Sequence, residues 1–256
     1  MRIGWKFGRT QKGQKKSMGY FHLLDELEEP CCPICNRIRK LSWKFLDNLY
    51  YESVNDVGMR VKLSNAKGFC NFHAWMSVEE IRNSNSGIAI IYKGLLDYEI
   101  GQLSRWLRKG KRPTGWKRVW AWKKNIDDLL ASWIKRDDCP ICEFVKTHEK
   151  IDIHILLDFI DEETFSKKFD ASTGLCIRHL IKTCETAGRH PNLPILVEKQ
   201  LTKYRFLSKE LGEYDRKRDY RFASEPKGAE VNSWRRVIAQ FAGLRDIFGN
   251  DRDRKK

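Results

Sequence analysis

The sequence predicts an all-α protein built from two tandem helical modules, each pinned by a Cys3His metal site. Three observations carry that expectation. The apolar residues recur at helical spacing along most of the chain, strand signals are weak throughout, and one cysteine–histidine pattern occurs twice in the same frame. Cys32-Pro33-Ile34-Cys35 returns as Cys139-Pro140-Ile141-Cys142, and Gly68-Phe69-Cys70 with His73 returns as Gly174-Leu175-Cys176 with His179. Between the inner cysteines lie 34 residues in the first copy and 33 in the second.

The helices can be placed in order. Ile34, Ile38, Leu41, Phe45 and Leu49 share one face of a helix that starts at the first cysteine pair. Pro33 and Pro140 suit a first helical turn, where a missing N–H is harmless. Ser77 with Glu80 reads as a capping box after the first histidine. Ile88, Ile91, Leu95 and Tyr98 mark a second face. Leu95 and Tyr98 fall on Leu201 and Tyr204 at an offset of 106, so the duplication runs past the ligands into Val197, Leu201 and Tyr204. Asp161, Glu162 and Glu163 read as a helix start or solvated turn, and Asn192 with Pro194 as the start of a long helix. Trp234, Val237, Ile238 and Phe241 form a last apolar stripe, stopped by Gly243.

A Cys-x-x-Cys pair offers two thiolates from one turn, and a Cys-x-x-His pair offers a thiolate and an imidazole from another. Three sulfurs and one nitrogen make a closed tetrahedral set that suits structural zinc. The ligand candidates are Cys32, Cys35, Cys70 and His73 in the first module and Cys139, Cys142, Cys176 and His179 in the second. Gly68 and Gly174 relax the backbone just before the third ligand. Two Zn2+ ions are expected, with an iron–sulfur cluster as the less favoured occupant. Bound zinc contributes on the order of 10 kcal/mol to folding, which a module of this size needs. Cys31 has Asp138 as its counterpart and is left out of the sets, and Cys184 is assigned to packing.

No catalytic residues are expected. His148 and His154 are six apart, where a zincin helix needs its histidines four apart, and His154 with Asp158 reads as a surface ion pair. Neither a phosphate-binding glycine loop nor a serine elbow occurs.

The chain has 256 residues and a formal net charge of +15. Residues 1–24 carry six basic side chains and no acid, and residues 100–126 carry nine and no acid, so these two segments account for the whole excess. The first is an arm with no apolar signal-peptide core, and no run of about 18 apolar residues predicts a membrane span, so a cytoplasmic protein with reduced thiols is expected. The second contains Trp106, Trp116, Trp120 and Trp122. A helix toward Trp133 would turn Val119, Trp122, Ile126, Leu129, Leu130 and Trp133 inward and leave Trp116 and Trp120 at the edge beside Lys123 and Lys124. Aromatic edges flanked by cations suit unpaired bases and phosphates. They also suit an anionic membrane surface, or a linker packed on its own modules. The nucleic-acid candidates are Arg105, Arg108, Lys109, Lys111, Arg112, Trp116, Lys117, Arg118, Trp120, Lys123 and Lys124. The expected organisation is a basic arm (1–19), a first module (20–103), a basic Trp-rich linker and helix (104–135), a second module with C-terminal helices (136–248) and a charged tail (249–256).

With its doubled CPxC and G[FL]CxxH strings, its FHLLDEL and FLDNLYYESVND stretches and its RDYRFASEPKGAEVNSWRR segment, the chain resembles an uncharacterised family of bacterial and archaeal proteins, a domain of unknown function. The resemblance spans roughly residues 20–243 and implies a helical fold with the eight cysteine and histidine ligands above and no established activity. The function expected is a non-catalytic, zinc-stabilised protein that contacts RNA or a ribonucleoprotein through its basic arm and linker. The alternatives are a scaffold or accessory subunit of a protein complex, and a redox, metallochaperone or iron–sulfur protein.

Overall fold

The computed structural model describes residues 15–82, 84–109, 126–131, 134, 136–222, 224–245 and 247. Among them there is no strand. The helices are α1 (Met18–Glu26), α2 (Pro33–Asn48), α3 (Val57–Asn65), α4 (Asn71–Glu79), α5 (Asn85–Lys109), α6 (Pro140–Phe159), α7 (Glu163–Ala171), α8 (Ile177–Ala187), α9 (Leu193–Arg216) and α10 (Ser233–Ala242). A π-turn at Leu49–Ser53 extends α2, a 3-10 turn at Ala229–Asn232 precedes α10, and residues 126–131 are also helical.

The chain divides into two compact units. The first combines Met1–Lys40 with Lys146–Lys256; the second is Leu41–Val145. The chain therefore leaves the first unit within α2 and returns to it within α6.

In the first unit the core is aliphatic and aromatic. Leu23, Ile34, Ile153, Leu156, Leu157, Ile160, Phe165, Phe169, Leu175 and Leu196 are fully buried. Burying each such side chain stabilises the fold by about 1.5–3 kcal/mol. The α1 helix is anchored by Tyr20, whose ring meets Phe159 edge-on at 4.7 Å between centroids and whose hydroxyl donates to Glu162 at 3.0 Å. Glu162 also caps α7, its carboxylate accepting from the Phe165 N–H at 2.9 Å, so the acidic cluster at 161–163 is a helix start. The α9 helix begins after Asn192 with proline in its first turn, as expected, although the Asn192 amide donates elsewhere, to the Leu157 carbonyl and Asp161.

In the second unit Leu46, Leu49, Leu63, Met76, Ile81, Ile91 and Ile141 are buried, and Phe45 and Phe144 pack at 5.2 Å between ring centroids. Asp56 caps α3 through the Met59 N–H. The α3 helix ends on Lys67 and Gly68, at φ 58° and 92°, with the Gly68 N–H bonded to the Leu63 carbonyl at 2.8 Å.

Four local expectations are corrected. Ser77 does not start a helix: it is buried inside α4 and its hydroxyl donates to the Ala74 carbonyl. Asp158 pairs with His190 at 3.0 Å instead of His154, because α9 follows a turn that presents His190. Cys184 is exposed, not packed. The faces marked by Val197 and Leu201 on α9, and by Trp234, Ile238 and Phe241 on α10, are helical but point outward; α9 buries Leu196, Gln200 and Leu207, and α10 buries Ser233 and Gln240.

Candidate metal centres

All eight predicted ligands assemble into two quartets, but the partners are exchanged relative to the sequence expectation. The first-unit quartet is Cys32, Cys35, Cys176 and His179; the second-unit quartet is Cys70, His73, Cys139 and Cys142. Each CPxC pair thus joins the CxxH pair of the other repeat. The spacing favours the local pairing only weakly. Each doubling of loop length costs about 0.6 kcal/mol, so lengthening a loop of 34 residues fourfold costs roughly 1.2 kcal/mol, less than one buried aliphatic side chain contributes.

The local chain explains how each set is presented. Cys32 and Cys35 sit at the start of α2, and Cys139 and Cys142 at the start of α6. Cys70 and Cys176 precede the first residues of α4 and α8, which places His73 and His179 one turn on. Gly68 and Gly174, at φ 92° and 73°, make the turn into each Cys-x-x-His segment.

In the first quartet the three sulfurs lie 3.4, 3.2 and 3.4 Å from Nδ1 of His179, and Cys35 and Cys176 Sγ are 3.8 Å apart. In the second, the three sulfurs lie 3.2, 3.6 and 3.6 Å from Nδ1 of His73, and Cys142 and Cys70 Sγ are 3.6 Å apart. A tetrahedral ion with bonds of about 2.3 Å to sulfur and about 2.0 Å to nitrogen sets edges of about 3.8 Å and about 3.5 Å. Both quartets match those edges, so each could hold a metal ion.

The electrostatics agree. Burial alone would raise the Cys32 thiol, but hydrogen bonds from Cys176 and Cys35 and the charge of His179 outweigh it and push it well down. Hydrogen bonds from Cys142 and Cys70 do the same for Cys139. Burial opposes charge on His179, yet the Cys32 thiolate holds its pKa well above the ordinary value. The other thiols go the opposite way: hydrogen bonds from their neighbours push Cys35 and Cys142 far up and Cys70 up to about 11, so without metal each quartet keeps one thiolate, and a cation would be needed to ionise the rest.

Each histidine turns its other nitrogen to a buried polar group that sequence reading did not single out. His73 Nε2 lies 3.1 Å from the Ser42 hydroxyl. His179 Nε2 lies 3.3 Å from the Glu149 carboxylate, whose negative charge it faces. The signal was present: both residues stand seven positions after the second cysteine of their CPxC strings.

A profile of DUF6062, described as a family of unknown function, matches residues 15–246. The chain belongs to that family. No curated protein and no solved structure matches it. This DUF6062 chain thus carries two groups able to hold metal ions.

Of the nucleic-acid candidates, Arg105 and Arg108 are exposed on the last turns of α5, which ends at Lys109. Lys111, Arg112, Trp116, Lys117, Arg118, Trp120, Lys123 and Lys124 lie outside the described residues, as do Trp122 and Trp133. No helix among the described residues is long and apolar enough to cross a membrane.

Proposed function

We propose that this protein is a non-catalytic binding protein whose two units are each held together by a structural zinc ion. The closed geometry of the quartets carries the reading. Four donors within 4.8 Å of one another surround a single ion completely, whereas a hydrolytic zinc keeps an open position for water. The same compactness favours one ion over an iron–sulfur cluster, whose irons take separate donors.

The partner we assign is RNA or a ribonucleoprotein. It is supported by the confinement of the entire +15 charge to two acid-free segments. Phosphate neutralisation makes such binding steeply salt-dependent. The test is purification of the tagged protein with identification of bound nucleic acid, followed by a salt titration. Absorbance in excess at 260 nm is expected, and binding should collapse when Arg108, Lys109, Lys111 and Arg112 are reversed to glutamate. Binding that survives the reversal overturns the assignment.

A second reading, a subunit of a protein complex, is favoured by α10. Trp234, Ile238 and Phe241 are 44%, 61% and 63% exposed on one face of that helix. It requires salt-insensitive co-purification with one protein, lost on changing those three side chains to polar ones.

A further inference from the structure

The two quartets share their donor set, yet their surroundings differ at equivalent positions of the repeat. We propose that the two centres are unequal in exchange: the first, at Cys32, Cys35, Cys176 and His179, retains its metal, and the second, at Cys70, His73, Cys139 and Cys142, releases its metal first to competing ligands. This rests on the metal reading above and goes beyond it by assigning the centres different roles, one a permanent pin and the other an exchangeable site.

Three differences point the same way. The first concerns the histidines. With metal on Nδ1 the imidazole proton must sit on Nε2. At the first centre that N–H faces the Glu149 carboxylate, an anion that makes the imidazole a stronger donor; at the second it faces the neutral hydroxyl of Ser42. Glu149 and Ser42 occupy the same place in the repeat, 107 positions apart. Both are positioning residues that act through the histidine.

The second difference concerns the backbone before the third ligand. Leu175, next to Cys176, is held at both ends of its peptide: its N–H donates to Gln200 Oε1 at 2.9 Å, and its carbonyl accepts from Gln200 Nε2 at 3.0 Å. Gln200 is buried. Its counterpart at the repeat offset of 106 is Gly94, so Phe69 beside Cys70 lacks this double clamp, and its backbone is met by the Tyr92 hydroxyl instead.

The third difference is access. Every ligand of the first centre is buried, and the backbone N–H of Leu244 lies 3.5 Å from Cys35 Sγ, where it stabilises thiolate charge; the N–H of the ligand histidine serves the CxxH cysteine in both centres. In the second centre Cys70 is only half-buried. Ligand exchange at a tetrahedral thiolate centre starts where an incoming group can reach the metal or a ligand sulfur.

The test uses the intact zinc-loaded protein. Excess EDTA is added, zinc release is followed by atomic absorption of the filtrate, and samples taken through the time course are alkylated with N-ethylmaleimide and mapped by peptide mass. Two phases are expected. The first zinc equivalent should leave as Cys70, Cys139 and Cys142 become alkylated, with Cys32, Cys35 and Cys176 protected until the second; Cys184, which is exposed, serves as the always-free control. Labelling of the first-centre cysteines first, or of both sets together, overturns the proposal. Glu149→Gln should speed release from the first centre about tenfold and leave the second unchanged, whereas a general loss of stability would speed both. An unchanged first-centre rate overturns the role assigned to Glu149. Folded protein that holds no metal before chelator is added overturns the metal reading itself, a failure visible at the outset and distinct from a wrong order of release.

Discussion

Cys35 Sγ lies 3.8 Å from Cys176 Sγ, although 141 positions separate the two residues. The contact joins the first CPxC string to the second CxxH string, and it is the pairing that a linear reading of the repeat does not give.

Cys176→Ala tests that pairing directly. The variant should bind one metal equivalent instead of two, and alkylation should find Cys32 and Cys35 freed while Cys139 and Cys142 remain protected. Freed Cys139 and Cys142 would mean that the ligands pair within each repeat.

The two turn glycines should differ in their tolerance of alanine. At Gly68 a Cβ would sit 3.4 Å from Leu95 and 3.6 Å from Tyr92, ordinary contacts, so Gly68→Ala bears only the left-handed backbone cost of about 1–2 kcal/mol. At Gly174 the added carbon would fall 2.6 Å from Gln200 Oε1, within the pair of hydrogen bonds that holds Leu175. Gly174→Ala should therefore lose roughly 1–3 kcal/mol more, the range for a buried polar group left unpaired. Denaturant unfolding of the metal-loaded variants measures both.

Asp152 should titrate far from its ordinary range. Burial pushes its carboxyl up to about 6, with the Arg37 charge pulling the other way. The two groups stand 3.5 Å apart without an aligned hydrogen bond. The folded chain therefore keeps a proton that the unfolded chain releases near pH 4. The stability linked to that proton is complete below about pH 4 and is lost as pH rises through about 6. Carbon-13 titration of the Asp152 carboxyl should show a midpoint near 6, and Asp152→Asn should remove this part of the pH dependence of unfolding. A midpoint near 4 would show that the carboxyl is solvated.

Ile238 looks like a core residue in the sequence and is exposed in the structure. Ile238→Gln should change unfolding free energy by no more than about 0.5 kcal/mol. A loss of 2 kcal/mol or more, the scale of a core truncation, would place the residue inside.

These contrasts show where the sequence was legible. Helices were readable because their periodicity is local: Ile34, Ile38, Leu41 and Leu49 are all buried on the face their spacing defines. The eight donors were readable because thiolate and imidazole chemistry narrows the choice. Partner choice between quartets was not, since the same donors satisfy either arrangement and loop closure separates the two by so little. The outward faces of α9 and α10 were hidden for a related reason. An amphipathic pattern marks a face without saying which way it turns, and buried Gln200 and Gln240 use hydrogen bonds to the Leu175 and Thr173 backbone to turn it.

The exchanged pairing also has a consequence for the nascent chain. The earliest donors to emerge, Cys32 and Cys35, must wait for His179, and at about 5–20 residues per second that delay is on the order of ten seconds. Once His73 has followed, for most of that delay, Cys32, Cys35, Cys70 and His73 form a complete but wrong set of four donors. Capture of a metal ion by that set would hold the chain in a non-native pairing, which would have to dissociate before the two quartets of the folded chain could form.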